Sequence, residues 1–182
     1  MKRWIIPVAI VLVIIIVIAW YYFGKMEKKL PKYLKSSQRL IDAIKEHEGF
    51  RSMPYKDDDS STARTEYSIG YGHQIKVGEE WMLQGITERQ AEELLKDDLL
   101  KYEAGVARVV LVPVSQGLFD ALVDIFYGMG IGAMSNSTLV GKINEDAPVE
   151  DIAAEFRRWV YDDGKVLNAL VKIREKNISW FV

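Results

Sequence analysis

Residues 4 to 23 read WIIPVAIVLVIIIVIAWYYF and contain no charged side chain. An uncharged run of this length constrains the chain more than any other feature. A helix rising about 1.5 Å per residue spans roughly 30 Å in twenty residues, the thickness of a bilayer's hydrocarbon core. Trp4 stands at one end and Trp20, Tyr21 and Tyr22 at the other, where amphipathic rings favour the membrane–water interface. A removable export signal has a shorter apolar core and a small-residue cleavage site; here bulky aromatics follow the run. The pattern predicts a retained transmembrane anchor over residues 1–24, touching the lipid bilayer through residues 4–23. Seven Ile and four Val against only Ala9 and Ala19 make leaving the bilayer strongly uphill, since each central Ile or Val favours insertion by a few tenths of a kcal/mol. Orientation stays open at this stage. Lys2 and Arg3 hold the N-terminus inside, whereas Lys25, Lys28, Lys29, Lys32 and Lys35 pull the other way.

About 150 residues remain after the anchor, enough for one compact domain with its own core. Up to Lys35 the chain has seven basic residues and one acid; from Ser36 on it has 17 basic and 25 acidic residues. Residues 25–36 are therefore expected to form a basic juxtamembrane linker suited to anionic headgroups, and residues 37–182 a single folded domain. The domain's net charge near −8 argues against a nucleic-acid partner. Without Cys there is no disulfide framework and no thiolate nucleophile. No metal-ligand cluster or phosphate-cradling glycine loop is present, so no metal and no cofactor are expected.

Along the domain, Ser36 or Ser37 is placed to cap a helix whose apolar face carries Leu40, Ile41 and Ile44. Glu48 lies four residues past Ile44 and Gly49 ends the helix. That spacing predicts a carboxylate turned toward buried surface, where desolvation favours its protonated form. Residues 50–77 mix turn residues with the alternation Tyr67, Ile69, Tyr71, which predicts a small β-hairpin lobe. Thr87 and Gln90 open a capping box on a long helix striped by Ala91, Leu94, Leu95, Leu99, Tyr102 and Val106. Ser115 caps a helix carrying Leu118, Leu122 and Ile125. The loop Gly128-Met129-Gly130-Ile131-Gly132 breaks it, and shorter helices follow near Thr138 and Pro148. Phe156 and Trp159 read as core, Asp162-Asp163-Gly164 as a turn, and Val166, Leu170 and Val171 as the buried face of a last helix. The fold class expected is α+β: a β-hairpin lobe and a larger helical lobe joined by one long helix, after a single transmembrane helix.

EGF-x4-Y-x-D from Glu48, YSIGYGH from Tyr67 and ITERQAEELLKDDL from Ile86 resemble the phage T4-type lysozyme family, glycoside hydrolase family 24. QGLFDALVDIFYGMGIGAMSNSTLVGKIN and FRRWVYDDGKVLNALV are similar to the helical lobe of its lambdoid endolysin branch. The resemblance covers residues 38 to 175 and implies a lysozyme-like fold. It also implies a muramidase, monomeric in its catalytic domain, that cleaves the β-1,4 bond between N-acetylmuramic acid and N-acetylglucosamine. The partner it implies is the peptidoglycan glycan strand. Glu48 falls on the family's general acid, Asp57 on its general base, and Ser68 on the Thr that holds the attacking water. Tyr71, His73, Ser137 and Thr138 are the candidate substrate contacts. Ser137 and Thr138 fit helix capping equally well, and His73 fits a structural hydrogen bond at the hairpin base.

The chain also departs from the family pattern. Ser68 lies eleven positions after Asp57, about five more than is usual in that family, which lengthens the hairpin tip. Gly128 stands where the family often has Asn. Hydrolysis at two carboxylates with unlike environments fits the pattern best. A lytic transglycosylase and a non-catalytic wall-binding protein on the same scaffold are the alternatives. With the anchor, the resemblance implies an enzyme held in a host inner membrane or virion membrane and acting in the periplasm.

Overall fold

The computed structural model describes residues 27–56 and 67–182. The apolar run 4–23 lies outside them, as do Asp57, Asp58 and Asp59. No helix among the described residues is long and apolar enough to cross a membrane.

Helix α1 (Gln38–Glu48) starts where the Ser37 hydroxyl accepts the Leu40 N–H, and Gly49 ends it at φ 68°. Strands β1 (Arg51–Tyr55), β2 (Ser68–Gly70) and β3 (His73–Gln74) form an antiparallel sheet in that order. Tyr71 and Gly72 turn the chain between β2 and β3. Helix α2 (Glu88–Val109) opens with the reciprocal Thr87–Gln90 capping box, which satisfies two otherwise unpaired N–H groups. Its Ala91, Leu95, Leu99 and Val106 are buried, as the 3.6-residue stripe predicted. It runs from the hairpin lobe into the helical body, touching β2 and β3 as well as the helix that follows.

That helix, α3 (Gln116–Met129), is capped by Ser115 and is buried along ten consecutive positions, Gly117 to Phe126. A helix apolar on nearly every side must be covered on every side. It packs against α1, α2, α4 (Ile131–Ser135) and α7 (Asn168–Ile178). Phe119, Leu122, Ile125 and Phe126 from α3 pack with Leu40 and Ile44 of α1, Leu95 and Leu99 of α2, and Phe156 in one core. Emptying one such aromatic site costs about 3–5 kcal/mol. Helices α5 (Thr138–Asn144) and α6 (Val149–Phe156) close the body. Strands β4 (Tyr161–Asp162) and β5 (Lys165–Val166) form a hairpin. Its two-residue turn, Asp163-Gly164, has φ of 46° and 74°, the backbone twist such hairpins favour.

Two sequence expectations change. Val166 lies in β5 and is exposed, and the buried residues of α7 are Arg174, Asn177 and Ile178. The helix therefore buries polar groups where an apolar stripe was expected. It can do so because each is partnered: Arg174 Nη1 donates to Asn177 Oδ1 at 2.9 Å, and Asn177 Nδ2 donates to Asp124 Oδ2 at 2.5 Å.

The stretch read as a juxtamembrane linker is also folded onto the body from Lys29 onward. Lys29 and Val114 exchange both backbone hydrogen bonds at 2.9 Å. A 3₁₀ turn at Pro31–Tyr33 packs on α2. Buried carboxylates hold the rest. Glu103 accepts from Ser36 N at 2.7 Å and Lys35 Nζ at 3.0 Å, and Asp120 accepts from Ser37 Oγ at 2.6 Å and Arg39 Nη2 at 3.0 Å.

Candidate active site

Glu48 is the last residue of α1 and is exposed. The i, i+4 relation does put it on the face of Ile44, which is fully buried. One turn further along the axis, however, that face has passed the edge of the core. Gly49 ends the helix there, so the carboxylate overhangs an opening instead of entering apolar packing. The expected burial of Glu48 is thus corrected to a position in a cleft of about 410 Å³. Tyr55 and Gly72 line it on the hairpin side, Asp98, Tyr102 and Tyr127 on the helical side, and Glu48 lines it from the end of α1. Lys76 and Lys101 complete a mixed-charge rim.

Gly72 has φ 87°, and a Cβ built there would lie 3.4 Å from the Tyr127 hydroxyl and 3.7 Å from Glu48 Oε2. The glycine therefore meets the need for a left-handed backbone at this turn. Tyr127 donates its O–H to the Tyr71 carbonyl at 2.5 Å. Its ring meets Tyr102 edge-on, centroids 5.1 Å apart. Burial pushes the Tyr127 phenol well above its ordinary range, and its neighbours Glu48 and Asp98 add to this. Tyr102 is raised too, by burial first and then by Asp98 and Glu48. Both phenols therefore stay protonated in a cleft that holds two carboxylates.

The remaining candidate residues are dispersed. Ser68 is buried on β2, opposite Tyr55 and Gln74. Tyr71 is 3 % exposed, and its hydroxyl donates to Glu88 Oε1 at 2.8 Å. Its side chain therefore points at α2, and the expected substrate contact is corrected to a wall position whose carbonyl serves Tyr127. His73 is 5 % exposed and lies between Asp98 Oδ2 at 2.7 Å and Glu79 Oε2 at 3.0 Å. It holds the back of the hairpin, which is the structural role its position suggested, and does not line the cleft. Carboxylates accept, so the two partners favour an imidazole that donates from both ring nitrogens. The Asp98 bond raises its pKa most, against burial and with help from Glu79.

Ser137 accepts the Val140 N–H and caps α5. Thr138 is exposed and lines a second hollow of about 370 Å³ with Met129, Arg158, Trp159 and Tyr161. Trp159, read as core, is half-buried on that hollow. The consecutive residues Gly128 and Met129 line the first and the second hollow respectively. Asp57 lies outside the described residues, as does most of the lengthened hairpin tip.

Sequence reasoning missed Asp98, Lys101, Tyr102 and Tyr127. Asp98, Lys101 and Tyr102 fall at i, i+3 and i+4 on α2, one face beside the buried Leu95–Leu99 stripe, so a signal was present. Tyr127 carried none, because a tyrosine in an apolar helix reads as core. A separate and more apolar groove of about 340 Å³ runs between Val114, Leu118, Ile152 and Phe181. Its charged side chains, Lys28 and Asp146, pair with each other at 3.5 Å, so it offers no acid–base pair.

Residues 45–177 match the phage lysozyme family. The chain is similar to an endolysin of Bacillus phage B103, 39% identical over 146 residues, which cover 80% of this chain and 53% of that protein. It is similar to a SAR-endolysin of Bacteriophage PS119, 30% identical over 70% of this chain and 72% of that one. Among solved structures it is similar to the muramidase domain of SpmX from Asticaccaulis excentricus. That likeness has a TM-score of 0.68 at 28% identity and covers 86% of this chain and 99% of that domain. The chain spans about half the length of the first curated relatives it matches.

Proposed function

This chain belongs to the phage lysozyme family, and on that footing we propose that it is a peptidoglycan hydrolase, a muramidase acting on the β-1,4 bond between N-acetylmuramic acid and N-acetylglucosamine. The observation that carries the reading is the position of Glu48. It is the terminal residue of α1, directed into a cleft between hairpin lobe and helical body, within the span that matches the family.

Glu48 is the general acid: its carboxyl proton passes to the glycosidic oxygen as the bond to the anomeric carbon breaks. Asp57 is the general base, taking a proton from the water that adds to that carbon, with Ser68 helping to hold the water. The two protons balance, and the product ends in a reducing muramic acid. Tyr102 offers a neutral hydroxyl and a flat ring to the sugar beside the acid. No cofactor takes part. The uncharged run at residues 4–23 supports a membrane-held enzyme that works in the periplasm. A tether raises local concentration at the wall, which an acidic domain does not gain by charge.

The test replaces Glu48 by Gln, which keeps shape and removes the transferable proton. Loss of such a group costs about 10²- to 10⁴-fold in rate. Clearance of permeabilised Gram-negative cells should disappear, and wild-type digests should contain reducing muramic acid ends. Near-normal clearance by Glu48→Gln removes the assignment. Anhydro ends in place of reducing ends make the enzyme a lytic transglycosylase.

A further inference from the structure

The cleft beside Glu48 has walls from different parts of the chain, and the Tyr71–Gly72 turn of the hairpin lobe is held to the helical body at three points. Tyr71 Oη donates to Glu88 at 2.8 Å and His73 Nδ1 meets Asp98 at 2.7 Å; both partners are on α2. The third hold is the Tyr127 hydroxyl on the Tyr71 carbonyl, a bond across 56 residues of sequence, and it ties the turn to α3.

A phenylalanine would fill the same place in the core. The hydroxyl therefore adds a polar group, which costs free energy unless it is bonded. Its bond lands one residue before Gly72, whose added Cβ would stand 3.4 Å from the hydroxyl and 3.7 Å from the Glu48 carboxylate. The ring is braced edge-on by Tyr102. The hydroxyl also keeps its proton, as described above, so it can donate at any working pH.

We propose that Tyr127 is a positioning residue. Its hydroxyl latches the hairpin turn to α3 and so sets the gap across which Glu48 faces the hairpin lobe. The proposal rests on the muramidase reading with Glu48 as acid. Acid, sugar and water must align to within a fraction of an ångström, and a misplacement of about 1 Å costs on the order of 10²-fold in rate. A loosened latch therefore slows the chemical step while leaving substrate binding nearly intact.

Tyr127→Phe in the full chain tests this, with kcat and KM measured on soluble glycan strands at 25 °C and amide exchange followed at residues 71 to 74. The expected result is a kcat about tenfold lower, KM within about twofold, and faster exchange in the turn. Gly72→Ala strains the same turn from the other side, since an L side chain is disfavoured at its φ of 87°. The two variants should be non-additive when combined. A lowered melting midpoint with kcat and turn exchange unchanged would make the hydroxyl purely structural and overturn the proposal. A raised KM with unchanged kcat would make it a sugar contact and overturn it equally. A wild-type chain that does not hydrolyse overturns the muramidase reading and the latch's catalytic role together. An active wild type with an unaltered Tyr127→Phe overturns the latch alone.

Discussion

Replacing His73 by Leu should destabilise the protein in a way that depends on pH. His73 faces Asp98 at 2.7 Å and Glu79 at 3.0 Å, while Lys76 approaches Asp98 at 3.7 Å and donates its backbone N–H to Glu79 at 2.8 Å. A hydrogen bond to a charged group contributes roughly 1.5–3 kcal/mol. Both carboxylates keep some contact with water, their side chains being 21 % and 28 % exposed. The low end therefore applies to each bond, and the pair together comes to about 3 kcal/mol. In a domain of this size that lowers the melting midpoint by roughly 6–12 °C.

The sign follows from the direction of the shift. His73 titrates above its ordinary 6.5 because the bonds to Asp98 and Glu79 outweigh burial. Its contribution is thus fully present below about pH 6.5 and is lost as pH rises through the folded-state value. Urea unfolding of wild type and His73→Leu, compared from pH 5.5 to pH 10, should show a gap that is largest at the acid end and shrinks with rising pH. A gap of constant size, or one that grows toward alkaline pH, refutes the imidazolium clasp and leaves only loss of packing.

Two further outcomes are expected. Asp57→Asn should abolish clearance, whereas Asp58→Asn and Asp59→Asn should leave it within a few-fold; an inactive Asp58→Asn enzyme would move the general base by one residue. Full-length protein should stay with the membrane fraction of expressing cells, because residues 4–23 carry no charge and little Gly or Ala; uncleaved protein in the soluble periplasmic fraction contradicts stable anchoring.

Most local structure was legible in the sequence because it depends on neighbours in the chain. The Thr87–Gln90 capping box, the Ser37 and Ser115 caps, the Gly49 stop and the α2 stripe each need only residues three or four apart, and all are present. The ordered motifs likewise marked Glu48 and the hairpin lobe. Tertiary structure decided what depends on partners far away. Whether Glu48 is buried turned on where the core ends along α1. Tyr71 and His73 looked like cleft residues until Glu88, Asp98 and Glu79 took them. The polar residues Arg174 and Asn177 are buried because Asp124, 53 residues from Asn177, supplies the acceptor. No periodicity encodes such a pairing, since a buried polar group is tolerated only when its partner is in place. The Tyr127 hydroxyl follows the same rule: its acceptor, the Tyr71 carbonyl, is a backbone atom that only the folded chain brings within reach.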